Sequence, residues 1–311
     1  METLAVIIEA PERLSLRPLA VQALTAGDVL VEIAWSGVST GTEKLLWSGA
    51  MPPFPGMGYP LVPGYESVGR IVDAGADASA RVGEWVFVPG ARCYRDAHGL
   101  FGGTAQRLIV PAARAIPVPE ALGERGILLA LAATAFHMID GHEAPDLIVG
   151  HGVLGRLLAR IAIARGAPAP TVWEVDPLRS SGGEGYAIVH PEADERRDYK
   201  AIYDVSGDAR LIDGLIACLA PRGELVLGGF YPGQIGFSFA PAFMREARLR
   251  IAAEWQASDI AATSMLVESG ALGLDDLVTD VRPAEEAPEA YPYAFADKRC
   301  LKMVLDWRGW A

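Results

Sequence analysis

The chain has 311 residues, 51% of them apolar, enough for two domains or one large one with sizeable cores. A formal net charge of −12 argues against nucleic acid and anionic membrane surfaces as partners. No run reads as long and charge-free enough to span a membrane, and three widely spaced cysteines (Cys93, Cys218, Cys300) imply neither a disulfide framework nor a four-cysteine zinc site.

Residues 1–14 lack the basic start and cleavable apolar core of a signal peptide, so the chain reads as a soluble, cytoplasmic enzyme. Short β-type runs at 4–8, 29–34, 67–72, 85–88 and 106–110, separated by glycine and proline, predict a small, partly closed β-barrel within residues 1–125. From about residue 121 the pattern changes to helix and strand in alternation. An Ala/Leu-rich helix at 126–139 leads into strands at 147–149, 171–173, 186–189, 201–205, 224–228 and 249–252, with a helix at 210–220. That alternation predicts a parallel sheet covered by helices over 126–254, hence an α/β domain joined to a β domain. The short tract at 180–185 (Ser-Ser-Gly-Gly-Glu-Gly) reads as a loop in place of a helix. Residues 255–311 are expected to return to the first domain, with a strand at 299–305.

The most informative stretch is 145–176. The apolar run Leu147-Ile148-Val149 meets Gly150-His151-Gly152-Val153-Leu154-Gly155, an amphipathic helix follows, and a second strand ends in Glu174-Val175-Asp176. Strand, glycine turn, helix and a strand closed by carboxylates form the dinucleotide-binding fingerprint in its required context. Gly150 would permit the tight turn, Gly152 the approach of a pyrophosphate, and Gly155 the packing of helix on strand. The pyrophosphate would rest on the helix N-terminus, beside Val153 and Leu154, where free N–H groups favour anions. Glu174 or Asp176 would accept the ribose hydroxyls and repel a 2′-phosphate, which selects NAD over NADP; Arg179 pulls the other way. His151 either adds positive charge near the pyrophosphate or faces solvent. Ser206, Gly207 and Gly228, which follow the next strands, are assigned to the same cofactor site.

The β-rich first half, the nucleotide fold and the returning strand resemble the medium-chain dehydrogenase/reductase superfamily, with a GroES-like first domain and a shortened Rossmann domain. The landmarks are residues 36–43 (Ser-Gly-Val-Ser-Thr-Gly-Thr-Glu), 63–72 (Pro-Gly-Tyr-Glu-Ser-Val-Gly-Arg-Ile-Val), 82–86 and 133–137 (Ala-Thr-Ala-Phe-His). In zinc enzymes of that superfamily a cysteine stands near Ser39 and a histidine where Tyr65 is found. Serine and tyrosine are poor zinc ligands, and Cys93 stands alone where a structural zinc lobe needs four thiolates. The chain therefore resembles a zinc-free member, and no metal is expected. Its wider wording resembles the 3-hydroxyethyl bacteriochlorophyllide a dehydrogenase family. That resemblance implies NAD-dependent oxidation of the 3-(1-hydroxyethyl) substituent of a chlorin or bacteriochlorin to 3-acetyl, in bacteriochlorophyll synthesis. A zinc-free NADPH-dependent quinone or enone reductase is the alternative within enzymes, and a noncatalytic nucleotide-binding relative is a third reading. A homodimer is compatible with the resemblance.

Without a Lewis acid, a side chain must hold the substrate oxygen and take its proton. Tyr65 either does so or packs at a barrel turn. Ser39 and Thr42 either extend a relay or cap backbone groups. Glu66 either orients Tyr65 or forms a structural ion pair. By resemblance Thr134 approaches the nicotinamide, and the adjacent His137 is a further catalytic candidate. Lys302 matches a superfamily cation near the phosphates, against the reading of a solvated lysine on an edge strand. Residues 45–59 are unusually apolar for a loop, and their glycines and prolines argue against a regular helix or strand. Trp47, Met51, Phe54, Met57 and Tyr59 there either plug a core or, as the resemblance favours, wall a slot for a tetrapyrrole.

Overall fold

A computed structural model describes residues 1–53 and 55–309; Phe54 lies outside the described residues. The chain begins with a hairpin of Glu2–Ala10 (β1) and Arg13–Ala20 (β2), antiparallel, with residues 5–8 of β1 buried. Asp28–Val38 (β3) is the spine of the first unit. Its 11 residues are long enough to pair along one edge with Ser67–Ala74 (β4) and along the other with Arg107–Pro111 (β6) at residues 28–32. Trp85–Val88 (β5) and Ile116–Pro117 (β7) extend the sheet beyond β4. Two irregularities in the β3–β4 register bend the pair, and at one of them Gly69 is obligatory: a Cβ there would lie 2.1 Å from the Glu32 carbonyl.

The connection after β3 differs from expectation. Thr42–Ser48 forms a helix (α1), and Gly49 ends it at φ 73°, so residues 45–48 are helical rather than irregular. Seven residues ahead of the first glycine suffice for two turns, and the left-handed glycine is a helix stop. A second correction concerns Glu120–Ile139, a helical stretch of 20 residues that is long and apolar enough to cross a bilayer, and the only one among the described residues. Gly123 breaks its helical geometry (φ 55°, ψ −137°), and Leu129–Ile139 (α2) keeps Leu129, Ala132, Ala133, Ala135 and Met138 buried in protein. Its apolarity is that of a core helix.

The second unit, Leu131–Leu274, is built on six parallel strands. They are Leu147–Val149 (β8), Thr171–Trp173 (β9), Ala187–Val189 (β10), Tyr199–Asp204 (β11), Leu219–Leu227 (β12) and Arg248–Ile251 (β13). Their order, β10-β9-β8-β11-β12-β13, is that of a doubly wound dinucleotide-binding sheet, with the switch point between β8 and β11. Val153–Ala164 (α3) follows β8 and Ile212–Cys218 (α4) precedes β12; Phe239–Met244 (α5) and Ala257–Glu268 (α6) complete the unit. Only one 3-10 turn, at Pro177–Arg179, interrupts the link from β9 to β10.

From Asp275 the chain belongs to the first unit again. Asp280–Pro283 (β14) pairs parallel with Met303–Asp306 (β15), and Ala287–Ala296 (α7) lies between them in sequence. β15 runs antiparallel to β3, Met303 opposite Val38 and Asp306 opposite Trp35, so the returning strand completes the sheet. The first unit is thus Met1–Ala130 plus the chain from Asp275, and α6 belongs to the second.

Candidate functional site

In the second unit, β8 ends in the glycine turn. Gly150 has φ +104° and stands 3.4 Å (Cβ position) from Ser206 N, so the turns after β8 and β11 meet at the switch point. A Cβ on Gly155 would lie 1.9 Å from the Gly150 carbonyl oxygen, which explains why helix and strand can pack only through glycine. Gly152 is different: no protein atom comes within 4 Å of its Cβ position, so its lack of a side chain serves no internal contact. It is the N-cap of α3, whose first N–H groups have no intrahelical acceptors. These residues fit a pyrophosphate.

Glu174 follows the last residue of β9. Its Oε2 accepts the His151 N–H (3.0 Å), and its Oε1 accepts the N–H groups of Val175 and Asp176, each at 2.8 Å. Asp176 instead turns away to accept the Leu178 N–H at the 3-10 turn. The strand-end acid fastened to the glycine turn is therefore Glu174.

His151 fits neither expectation. It is fully buried, its Nδ1 lies 2.6 Å from the Arg179 carbonyl, and its Nε2 lies 2.8 Å from the Tyr186 hydroxyl. A carbonyl only accepts, so Nδ1 carries the proton and Nε2 accepts from tyrosine. Burial, with Arg156 nearby, holds the ring below its usual range, so it is neutral and supplies no charge. Arg156 on α3, itself buried, donates to the carbonyls of His151 (3.3 Å) and Ser181 (3.0 Å). Ser206 is held by Asp204, whose Oδ1 accepts its N–H and its hydroxyl; Gly207 follows at φ +72°. A Cβ on Gly228 would lie 2.0 Å from Met138 Cε, so the end of that flexible side chain would have to move.

In the first unit a second polar centre forms where β3 ends. The Tyr65 hydroxyl donates to Ser39 Oγ at 2.9 Å, and Ser39 Oγ accepts the Thr42 N–H at 3.3 Å. Tyr65 is half-buried and packs its ring on Phe101, centroids 5.1 Å apart. Burial and the neighbouring Glu66 push its phenol well above the tyrosine range, with Ser39 and Thr42 opposing, so it acts as a neutral hydroxyl. Glu66 forms a buried ion pair with Lys302, and Gly37 makes room for it: a Cβ there would stand 2.5 Å from Glu66 Oε2. Burial pushes the Glu66 carboxyl up and Lys302 opposes it. Lys302 is thus not a solvated edge lysine; it is 2% exposed and paired within its own unit.

Glu43 was not singled out in the sequence. It is fully buried on α1, accepts the Ser39 N–H (3.1 Å) and the Tyr291 hydroxyl (2.8 Å), and burial raises its carboxyl to about 7. Its place in the Ser-Thr-Gly-Thr-Glu run is a helix-capping signal: a side chain in the first turn reaching back to an N–H before the helix.

Other expected residues are placed elsewhere. His137 Nδ1 lies 2.8 Å from Asp259 Oδ2, and Asp259 also accepts the Gln256 N–H in the capping box of α6, so the histidine pins α2 to α6. Thr134 is half-buried on α2. Met51 is buried with Ile8, Leu46, Leu61 and Leu100 in a small core, against which Trp47, Met57 and Tyr59 pack. The Tyr59 hydroxyl donates to the Leu46 carbonyl at 2.5 Å. Among the described residues no three His, Cys, Asp or Glu side chains gather in a group that could hold a metal ion.

Residues 25–120 match the alcohol dehydrogenase GroES-like domain. Solved structures share the whole architecture, among them acetophenone reductase from Geotrichum candidum in complex with NAD (TM-score 0.85, 19% identity, 98% of this chain and 97% of that one). Fold and domain order are those of the alcohol dehydrogenases. The chain is 56% identical, over its full length and that of its relative, to 2-desacetyl-2-hydroxyethyl bacteriochlorophyllide A dehydrogenase of Cereibacter sphaeroides. It is 56% identical, over 99% of both chains, to the same enzyme of Rhodobacter capsulatus. It belongs to the 2-desacetyl-2-hydroxyethyl bacteriochlorophyllide A dehydrogenase family.

Proposed function

We propose that this chain oxidises the hydroxyethyl substituent of a bacteriochlorophyllide to an acetyl group, with NAD as hydride acceptor and without zinc. The observation that carries the mechanism is the Tyr65–Ser39 hydrogen bond of 2.9 Å at the positions where zinc relatives carry metal ligands. Tyr65, a neutral hydroxyl, turns its proton from Ser39 Oγ to the alcohol oxygen and holds that oxygen as charge develops on it, while the alcohol proton is released to water. Thr42 and Glu43 fix Ser39 from the start of α1. When bound, the nicotinamide supplies the hydride acceptor. Gly152, Val153 and Leu154 would hold its pyrophosphate on the α3 N-terminus, and Glu174 would take the ribose hydroxyls and disfavour a 2′-phosphate. Trp47, Met57 and Tyr59, half-buried and apolar, are the residues assigned to macrocycle contact.

Anaerobic incubation with NAD and hydroxyethyl-bacteriochlorophyllide tests this directly. A new carbonyl conjugated to the macrocycle shifts the long-wavelength absorption band as NADH accumulates. An unchanged spectrum with active, folded protein would overturn the substrate assignment, and about one tightly held zinc per chain would overturn the metal-free mechanism.

A further inference from the structure

In a doubly wound sheet the link from the second strand to the third ordinarily carries a helix that covers the sheet. Here residues 174–186 carry only the short turn Pro177–Arg179. This segment is nonetheless bonded into the unit through one residue of the glycine turn. His151 donates through Nδ1 to the Arg179 carbonyl, accepts at Nε2 from the Tyr186 hydroxyl, and gives its own backbone N–H to Glu174. Arg156, from the first turns of α3, spans the same gap from the His151 carbonyl to the Ser181 carbonyl. Gly182, at φ +81°, lets the segment close on that guanidinium: a Cβ there would stand 2.5 Å from Arg156 Nη1. The ring of Tyr186 meets that of His151 edge-on, centroids 5.6 Å apart.

We propose that residues 179–186 are a clasp in place of the missing helix, and that Tyr186, through His151, is a positioning residue that presets the glycine turn and Glu174 for a dinucleotide. This rests on the dinucleotide-binding reading above. The bonds just described end either on His151, which stands between Gly150 and Gly152, or on Arg156, one residue after Gly155. Loosening it displaces the turn whose shape the phosphates require, and with it the N–H that orients Glu174. The chemistry at Tyr65 draws on none of these groups, so the clasp acts on binding alone.

Tyr186→Phe removes one hydroxyl and keeps the ring. Titration of the protein with NADH, followed by fluorescence, should give a dissociation constant about tenfold higher than wild type, while turnover at saturating NAD changes less than twofold. Gly182→Ala, which pushes the segment off Arg156, should weaken binding in the same direction. In the absence of dinucleotide, hydrogen exchange at residues 177–186 should quicken in both variants. Wild-type NADH affinity in both variants overturns the clasp and leaves the dinucleotide reading standing. Failure of the unaltered protein to bind NADH or NADPH overturns both.

Discussion

Two polar centres, one in each unit, stand beside glycines, and they are made of different material. Around His151 the partners are mostly main chain: the carbonyls of Arg179 and Ser181, and the N–H groups of His151, Val175 and Asp176. Around Tyr65 they are largely side chains, and they come from distant segments: Ser39, Glu43, Glu66, Tyr291 and Lys302. The first arrangement keeps its ring neutral and relies on backbone shape. The second buries two carboxyls and one ammonium where solvent does not screen them. Removing one partner from the second centre strands a buried charge.

The largest expected effect tests that contrast. Lys302→Ala leaves Glu66 buried without its cation and should cost about 3–5 kcal/mol of stability, read by denaturant unfolding. Tyr65→Phe should leave stability and NADH affinity near wild type but lower turnover about 10²–10³-fold, or roughly 2.7–4 kcal/mol, as loss of one donor to a developing oxyanion does. Normal turnover in a folded Tyr65→Phe protein would remove Tyr65 from the mechanism. In the other centre, Glu174→Ala should weaken NAD binding by roughly 1.5–3 kcal/mol, the scale of a hydrogen bond to a charged group, while NADP binding is unchanged or improved. Equal loss for both dinucleotides would mean that Glu174 acts only on the turn.

The smallest effect is a slope. Burial raises the Glu43 carboxyl from 4.5 to about 7, so between those values the folded chain retains a proton that the unfolded chain has released. Its contribution to stability is complete below the lower value and is lost as pH rises through the upper one. Glu43→Gln should flatten the fall in stability across that window relative to wild type. Parallel curves for the two proteins would show that Glu43 does not titrate there.

The same contrast explains what was legible in the sequence. The turn at Gly150 was readable because steric demands act within a few residues: a positive φ at Gly150 and a contact at Gly155 that admits no Cβ. The parallel sheet of the second unit followed from the alternation of helix and strand. The pairing of Lys302 with Glu66 was not legible because the two are 236 residues apart. His151 was misread because a histidine between glycines carries no sign of the tyrosine 35 residues on. α7 escaped notice because it contains Pro288 in its first turn and Pro292 inside, and α6 because it buries few apolar residues. α1 was hidden by the glycines and prolines that follow it.

The antiparallel pairing of β15 with β3 also has a consequence for synthesis. Residues 35–38 emerge early from the ribosome, yet the strand that covers them is 303–306, and the whole of Leu131–Leu274 must be made between. Until then the nascent chain carries an open sheet edge of unpaired N–H and C=O groups, the kind of surface on which chains associate wrongly. Ser36 lacks the Trp307 indole that finally donates to it at 2.9 Å. The second unit is continuous in sequence, whereas the sheet of the first is joined across it by β15. A chain that stops short of β15 would thus leave residues 35–38 without the strand that pairs with them.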